Sequence, residues 1–239
     1  MEIAAGIHRI GSNKVNVYLI DEPGGITIVD AGLPGYWSDL QAELTAMGRS
    51  LDDVRAVLLT HAHDDHIGFA ERIRSERGTP IHLHEADAAL ARGEAKQKNE
   101  GGGPIKPLPI LAFLVYAIRK GYLRTKRIAE VSTFGDGATL DVPGTPRVIH
   151  LPGHTAGSAA LLVPSRDAIL VGDAFVTLNV MNGSTGPQSF PNFNADNRQA
   201  RESLRRLDGV EASLVLPGHG QPWTGGLAEA LTLVRATPV

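Results

Sequence analysis

Apolar positions fall along the chain in short runs broken by polar turns. Residues 15–20 and 26–29 read as strands joined by the turn Glu22-Pro23-Gly24-Gly25. Leu40, Leu44 and Met47 recur at helical spacing, which predicts a helix over residues 37–47 with those side chains on its buried face. Residues 54–59 predict a strand buried on both faces, and residues 67–77 a helix after it. Ile81 and Leu83 mark another strand, and residues 85–91 a short helix. Further strands are expected at 147–149, 159–163, 168–171 and 213–216, and further helices at 196–207 and 227–235. Strands and helices interleaved this way imply sheets covered by helices, an α/β architecture.

No linker divides the chain, so residues 1–239 are expected to form one domain. A weak internal echo hints at a two-part build: 26–31 and 168–174 are each an apolar strand that releases an Asp at its end. Two long irregular stretches, 95–109 and 181–194, are rich in Gly, Pro, Asn and Ser, and loops of that length often serve as lids. The first leads into Ile110-Leu111-Ala112-Phe113-Leu114-Val115-Tyr116-Ala117-Ile118, apolar all round if helical, with five Lys and Arg residues close behind. Nine residues cannot span a bilayer. A buried core helix is the plain expectation. The functional alternatives are a lid wall for an apolar acyl group, a homodimer contact, or attachment to an anionic membrane.

Composition changes the picture only by exclusion. Hydrophobic residues make up 42% and charged ones 21%, ordinary for a globular protein. A net charge of −3 gives no footprint for nucleic acid. With no cysteine, any zinc must be held by His and carboxylate. The first residues lack the basic and apolar regions of a signal peptide, and no run reaches membrane-span length, so a cytoplasmic protein is expected.

The candidate chemistry sits directly after the 54–59 strand, in His61-Ala62-His63-Asp64-Asp65-His66. Residues two apart in extended backbone point the same way, so His61 and His63 can grip one ion. Asp65 and His66 project elsewhere and can serve a second. Further candidates follow predicted strands: His154 in Pro152-Gly153-His154-Thr155, Asp173 in Gly172-Asp173, and His219 in Pro217-Gly218-His219. Sites in layered α/β folds gather at the carboxyl ends of strands, so these points can converge.

From Asp30 to His219 these motifs closely resemble the metallo-β-lactamase superfamily. The resemblance implies a four-layer αβ/βα sandwich with two metal ions in a cleft at one edge of its paired sheets. It assigns His61, His63 and His154 to the first ion, and Asp65, His66 and His219 to the second. Asp173 would bridge both and Asp30 would steady the ligands. Zn2+ is expected, about two ions per chain, with iron or manganese as alternatives; the ions and Asp65 would drive hydrolysis by a hydroxide formed at neutral pH.

The resemblance narrows the substrate by elimination. β-Lactamases of the family usually carry Cys or Ser where Asp173 stands, and glyoxalase II enzymes carry a glutathione-binding helical domain not seen here. Acyl-homoserine lactonases place a Tyr at the position of Val176, and nuclease members bear RNA-binding additions. An ester, thioester or lactone is the expected small-molecule substrate. β-Lactamase activity is the alternative, and a mononuclear iron persulfide dioxygenase the alternative of another class. Among the functional readings of the stretch at about 95–127 a lid insertion ranks first, because insertions before the Gly-His-Thr strand commonly border the cleft in this family; Phe113, Tyr116, Phe175 and His84 are the substrate-contacting candidates. His82 and His84 alternate with Ile81 and Leu83 and are expected to point away from the core, with a structural or surface role the plainer reading. His150 reads as a neighbour of the ligands or a strand-end polar residue, and His8 as exposed.

Overall fold

The computed structural model describes residues 1–237; Pro238 and Val239, the last two positions of the expected domain, lie outside the described residues. Seven strands make the first sheet in sequential order: β1 (Glu2–Ala4), β2 (Ile7–Ser12), β3 (Val15–Glu22), β4 (Gly25–Val29), β5 (Val54–Leu58), β6 (Ile81–His84) and β7 (Ser132–Phe134). The pairs from β1 to β4 are antiparallel, whereas β4 to β7 run parallel. The second half contributes β8 (Arg147–His150), β9 (Ala159–Val163), β10 (Ala168–Gly172), a two-stranded ribbon of β11 (Val176–Leu178) and β12 (Thr185–Gln188), and β13 (Leu214–Pro217). Its main sheet has the order β13-β10-β9-β8, and β13 pairs parallel to β10.

Side-chain alternation sorts these strands into layers. Along β3, Val17 and Leu19 enter a core shared with helices α1 (Tyr36–Ala46), α2 (Ala70–Arg77) and α3 (Ala88–Arg92). Their neighbours Tyr18 and Ile20 point the other way, into a core between the two sheets. In β10, Ala168 and Leu170 face that same inter-sheet core. Ile169 and Val171 face a third core, built with Leu204 and Leu207 and with the helix at Leu227–Ala236. The result is helix, sheet, sheet, helix: a four-layer α/β sandwich. Strands buried on both faces explain the uninterrupted apolar runs of the sequence.

The differences from expectation have local causes. The helix after the His-Asp motif begins at Ala70 rather than at 67, because Ile67-Gly68-Phe69 bonds elsewhere. Gly68 and Phe69 donate to the carbonyls of Gly32 and Ala31 at 2.8 and 3.1 Å. The apolar stretch does form a helix, α4 (Pro107–Arg119), with prolines in its first turn, where a missing N–H costs nothing. It is no core helix: Ala117 is its one buried residue. The helix α5 (Asn197–Ser203) is capped by Asp196, which accepts from the Gln199 N–H at 2.8 Å, and tightens into a 3₁₀ turn before Leu207; α6 is the Leu227–Ala236 helix. Strands β1, β2, β7, β11 and β12 have no counterpart in the hydrophobic pattern. Most are short, and β2 alternates with partly exposed positions.

Candidate metal centre

All of the candidate ligands leave the carboxyl ends of strands. β5 runs into Thr60 and the His-Asp loop, β10 into Asp173, and β13 into Gly218-His219, while the loop after β8 carries His154. Backbone bonds clamp these ends together. The Ala159 N–H donates to the Thr60 carbonyl at 2.9 Å across the sandwich, and within the second sheet the Gly218 N–H donates to that of Gly172 at 2.8 Å. A side chain at Gly218 would strike Asp173 and His66, so only glycine lets β13 pass beneath them.

Seven side chains converge there. His61, His63 and His154 bring their ligating atoms within 4.8 Å of one another, as do His61, His66 and Asp173, and Asp65, His66 and His219. Asp173 Oδ2 lies 3.5 Å from His154 Nε2, 3.6 Å from His66 Nε2 and 3.0 Å from His219 Nε2. Asp65 Oδ2 reaches His219 Nε2 at 3.6 Å. Among the described residues, His61 Nε2, His66 Nε2 and Asp173 Oδ1 are buried without a hydrogen-bond partner. Buried polar atoms are rarely left alone, and three of them within one cluster of His and Asp fit a bound cation.

The outward ring atoms are all occupied. The Asp30 carboxylate meets His66 Nδ1 at 2.9 Å and accepts from the Thr60 N–H at 2.8 Å. Thr60 Oγ1 donates to Asp30 Oδ2 at 2.9 Å and lies 3.1 Å from His61 Nδ1. Asp30 itself adopts φ 62°, a left-handed conformation that Asp tolerates better than most residues. His154 Nδ1 meets Asn194 Oδ1 at 2.8 Å, and His219 Nδ1 donates to the Lys14 carbonyl. Fixing one ring nitrogen presents the other to the site.

Electrostatics divide the group in two. Burial, reinforced by its histidine neighbours, holds His61 well below the usual imidazole range. Desolvation pushes His63 down to about 4 against the pull of Asp65 and Asp173. Desolvation and His63 bring His154 to about 4 as well. These three imidazoles are neutral at pH 7, the form that binds metal. At His66 burial opposes the charge, but Asp173, Asp30 and Asp65 outweigh it and lift the ring well above its ordinary value. His219 is raised in the same way, against burial, chiefly by Asp173. Burial would raise Asp173, yet His219 and His66 hold it well below the carboxylate range.

Beside this centre lies a cavity of about 630 Å³, lined by His63, Asp65, Asp173 and His219 on one side. Phe113 and Ile110 of α4, with Val180, Met181, Phe190 and Phe193, form its apolar walls. Of the substrate candidates, Phe113 lines the cavity. Tyr116 instead points at Tyr36, with the two hydroxyls 2.6 Å apart, and Phe175 is fully buried in the third core. His84 does not point to solvent either; the opposite face of β6 meets the second sheet, where His84 is buried and stacks on His150 with ring centroids 3.8 Å apart. His150 bonds the Ala156 carbonyl at 2.8 Å, within the loop that carries His154. His8 is largely covered and meets Glu43 at 2.8 Å rather than standing exposed.

Four contributors carried no sequence signal. The buried Asp87 carboxylate accepts from the Ala62 N–H at 2.9 Å, Thr155 Oγ1 at 2.7 Å and the Gly157 N–H at 2.7 Å, so it ties two ligand loops together. The Gln97 carboxamide lies 3.0 Å from His63 Nε2, which leaves Nδ1 to face His154 at 3.0 Å. Asn194 orients His154. Tyr122 lines the cavity; burial, with Asp64 and Asp65 nearby, pushes its phenol up to about 12.

Comparison with known proteins agrees with this geometry. The family model described as Metallo-beta-lactamase superfamily matches residues 10–219. The chain is similar to the probable metallo-hydrolase YflN of Bacillus subtilis (strain 168), with 27% identity over 94% of this chain and 87% of that protein. Among solved structures it resembles the metallo-beta-lactamase family protein TTHA1429 of Thermus thermophilus, with a TM-score of 0.71 and 23% identity over 98% of this chain and 80% of that one. TTHA1623, solved in a di-iron-bound form, aligns at a TM-score of 0.61 with 26% identity, over 91% of this chain and 93% of the other.

Proposed function

Because the chain belongs to the metallo-β-lactamase superfamily, we propose that it is a metal-dependent hydrolase of an ester, thioester or lactone. The observation that carries this reading is the convergence of seven His and Asp side chains, three of them with a buried polar atom that has no hydrogen-bond partner. His61, His63 and His154 would hold one ion; Asp65, His66 and His219 a second, with Asp173 between them. When bound, such ions polarise a carbonyl and acidify a coordinated water, so that a nucleophile forms near neutral pH. The rest falls to the chain itself. Asp30, Thr60 and Asn194 hold the imidazoles in place, and the wall at Ile110, Phe113 and Phe190 receives an apolar acyl portion while excluding water.

Leaving-group chemistry favours this substrate class. An alkoxide or thiolate departs with little protonation, whereas an amide nitrogen needs a positioned acid. Asp65 and Asp173 would be engaged as ligands, and burial pushes the Tyr122 phenol up, so that it releases its proton poorly. Zinc suits a site of His and carboxylate without thiolate. Iron is the second reading, supported by the di-iron-bound form of TTHA1623. A side-by-side panel tests the function: activated esters, thioesters and lactones should turn over, and penicillins and carbapenems weakly or not at all. Efficient carbapenem turnover with inert esters would replace this reading with β-lactamase activity.

A further inference from the structure

The outer face of α4 is left uncovered among the described residues. Leu108, Leu111, Val115 and Ile118 are 77%, 57%, 45% and 54% exposed. At about 100° per residue they fall within roughly 80° of the helix circumference, so they form one continuous stripe. Large exposed apolar side chains arranged this way mark an interaction surface rather than scattered surface hydrophobes. The opposite side of the helix is engaged: Phe113 and Tyr116 pack against the first core and Ala117 is buried. The stripe is therefore held outward by its own anchored back.

Charge selects the occupant. Residues 101–129 hold six Lys and Arg and no Asp or Glu, in a chain whose net charge is −3. Lys120 and Arg127 pair with Asp39 and Asp64, each at 2.7 Å. Lys106 and Arg119, one at each end of the helix, are exposed and in no ion pair among the described residues. Arg119 follows the stripe by about 20° of arc. Pairing with a second copy across a twofold axis would bring two such cationic segments together, which like charges oppose. An anionic lipid surface satisfies both features at once, apolar residues entering the acyl boundary and cations meeting headgroups. At 13 residues α4 has the length to lie in that interface, and no helix among the described residues is long and apolar enough to cross a membrane.

We propose that α4 docks this protein on an anionic membrane surface through Leu108, Leu111, Val115 and Ile118, with Lys106 and Arg119 at the headgroups. Ile118 also lines the cavity, as does its neighbour Leu114, so docking sets the cleft mouth at the lipid boundary. A substrate with an apolar acyl chain can then enter without crossing water. Docking is independent of which bond the centre cleaves.

Vesicle sedimentation with the full, metal-loaded chain tests this. Binding to phosphatidylglycerol vesicles is expected, with weak retention on pure phosphatidylcholine and at least about a tenfold loss in roughly 0.5 M salt. Leu111→Ser with Val115→Ser should weaken binding at least roughly tenfold, as should Lys106→Glu with Arg119→Glu. These side chains are exposed and do not line the cavity, so circular dichroism and hydrolysis of a short soluble ester should be unchanged in the variants. Equal binding to both lipids, or to neither, overturns the proposal. So does a wild-type dimer in sedimentation velocity that the Leu111→Ser, Val115→Ser pair dissociates while vesicles stay unbound.

Discussion

The floor and the outer wall of the cleft are built from opposite materials. On the floor, His61, His66, His154, Asp173 and His219 are no more than 4% exposed, and each outward-facing ring nitrogen of the imidazoles is engaged. On the wall, α4 contributes a single buried side chain and keeps large apolar residues in solvent. A floor of this kind is over-determined. Several strand ends meet there, and shifting any one would leave buried polar groups unpaired. The wall rests on one helix face and two long loops, so it can change without disturbing the centre. On the proposed reading, chemistry belongs to the floor, and substrate size and delivery to the wall.

Breaking the floor should have the largest effect. His61→Ala, His154→Ala or Asp173→Ala should lose metal and reduce hydrolysis by at least about a thousandfold, roughly 4 kcal/mol of barrier. Metal analysis alongside turnover checks this, and normal values for both would remove the residue from the ligand set. The groups behind the ligands come next. Asp30→Asn or Asn194→Ala should lower metal affinity by roughly 10- to 100-fold with the fold intact, as competition with a chelator would show. Asp87→Ala should cost about 1–3 kcal/mol of stability, because the Ala62 and Gly157 N–H groups lose their acceptor. Denaturant unfolding of the metal-free protein reads that effect without interference from metal binding.

Changes to the wall should be smaller and selective. Phe113→Ala should raise KM for long-chain esters by about tenfold more than for short ones, with kcat little altered; equal effects would remove Phe113 from the acyl site. Tyr122→Phe should reduce activity by the same factor at about pH 7 and about pH 10.5. A phenol held at about 12 stays almost wholly protonated at both. A loss that shrinks markedly at the higher pH would show that the phenol ionises in the ordinary range, near about 10.

The same division explains what was legible in the sequence. His61, His63, Asp65 and His66 stand out because candidate ligands fall at fixed spacings in one loop, and Asp173 and His219 because glycines crowd beside them. The strands appear as unbroken apolar runs because helices bury one face of each sheet and the other sheet buries the second. Asp87 and Gln97 are single polar residues in ordinary local sequence, and only the approach of Thr155 and His63 from elsewhere in the chain gives them a role. His84 shows the limit of alternation: its pattern separates two faces of β6, but a polar face reads as solvent whether it meets water or another sheet. The apolar run of α4 failed in the opposite sense, since periodicity registers hydrophobicity and not the partner that covers it.

The central claim is that seven side chains form one centre for about two metal ions per chain. Elemental analysis of protein purified without added metal, and again after loading, tests it most directly. About two ions per wild-type chain, falling to about one or none in Asp173→Ala together with loss of ester and thioester hydrolysis, is the predicted result. A wild-type chain that hydrolyses these substrates free of metal, or that holds a single iron and consumes oxygen, would contradict it.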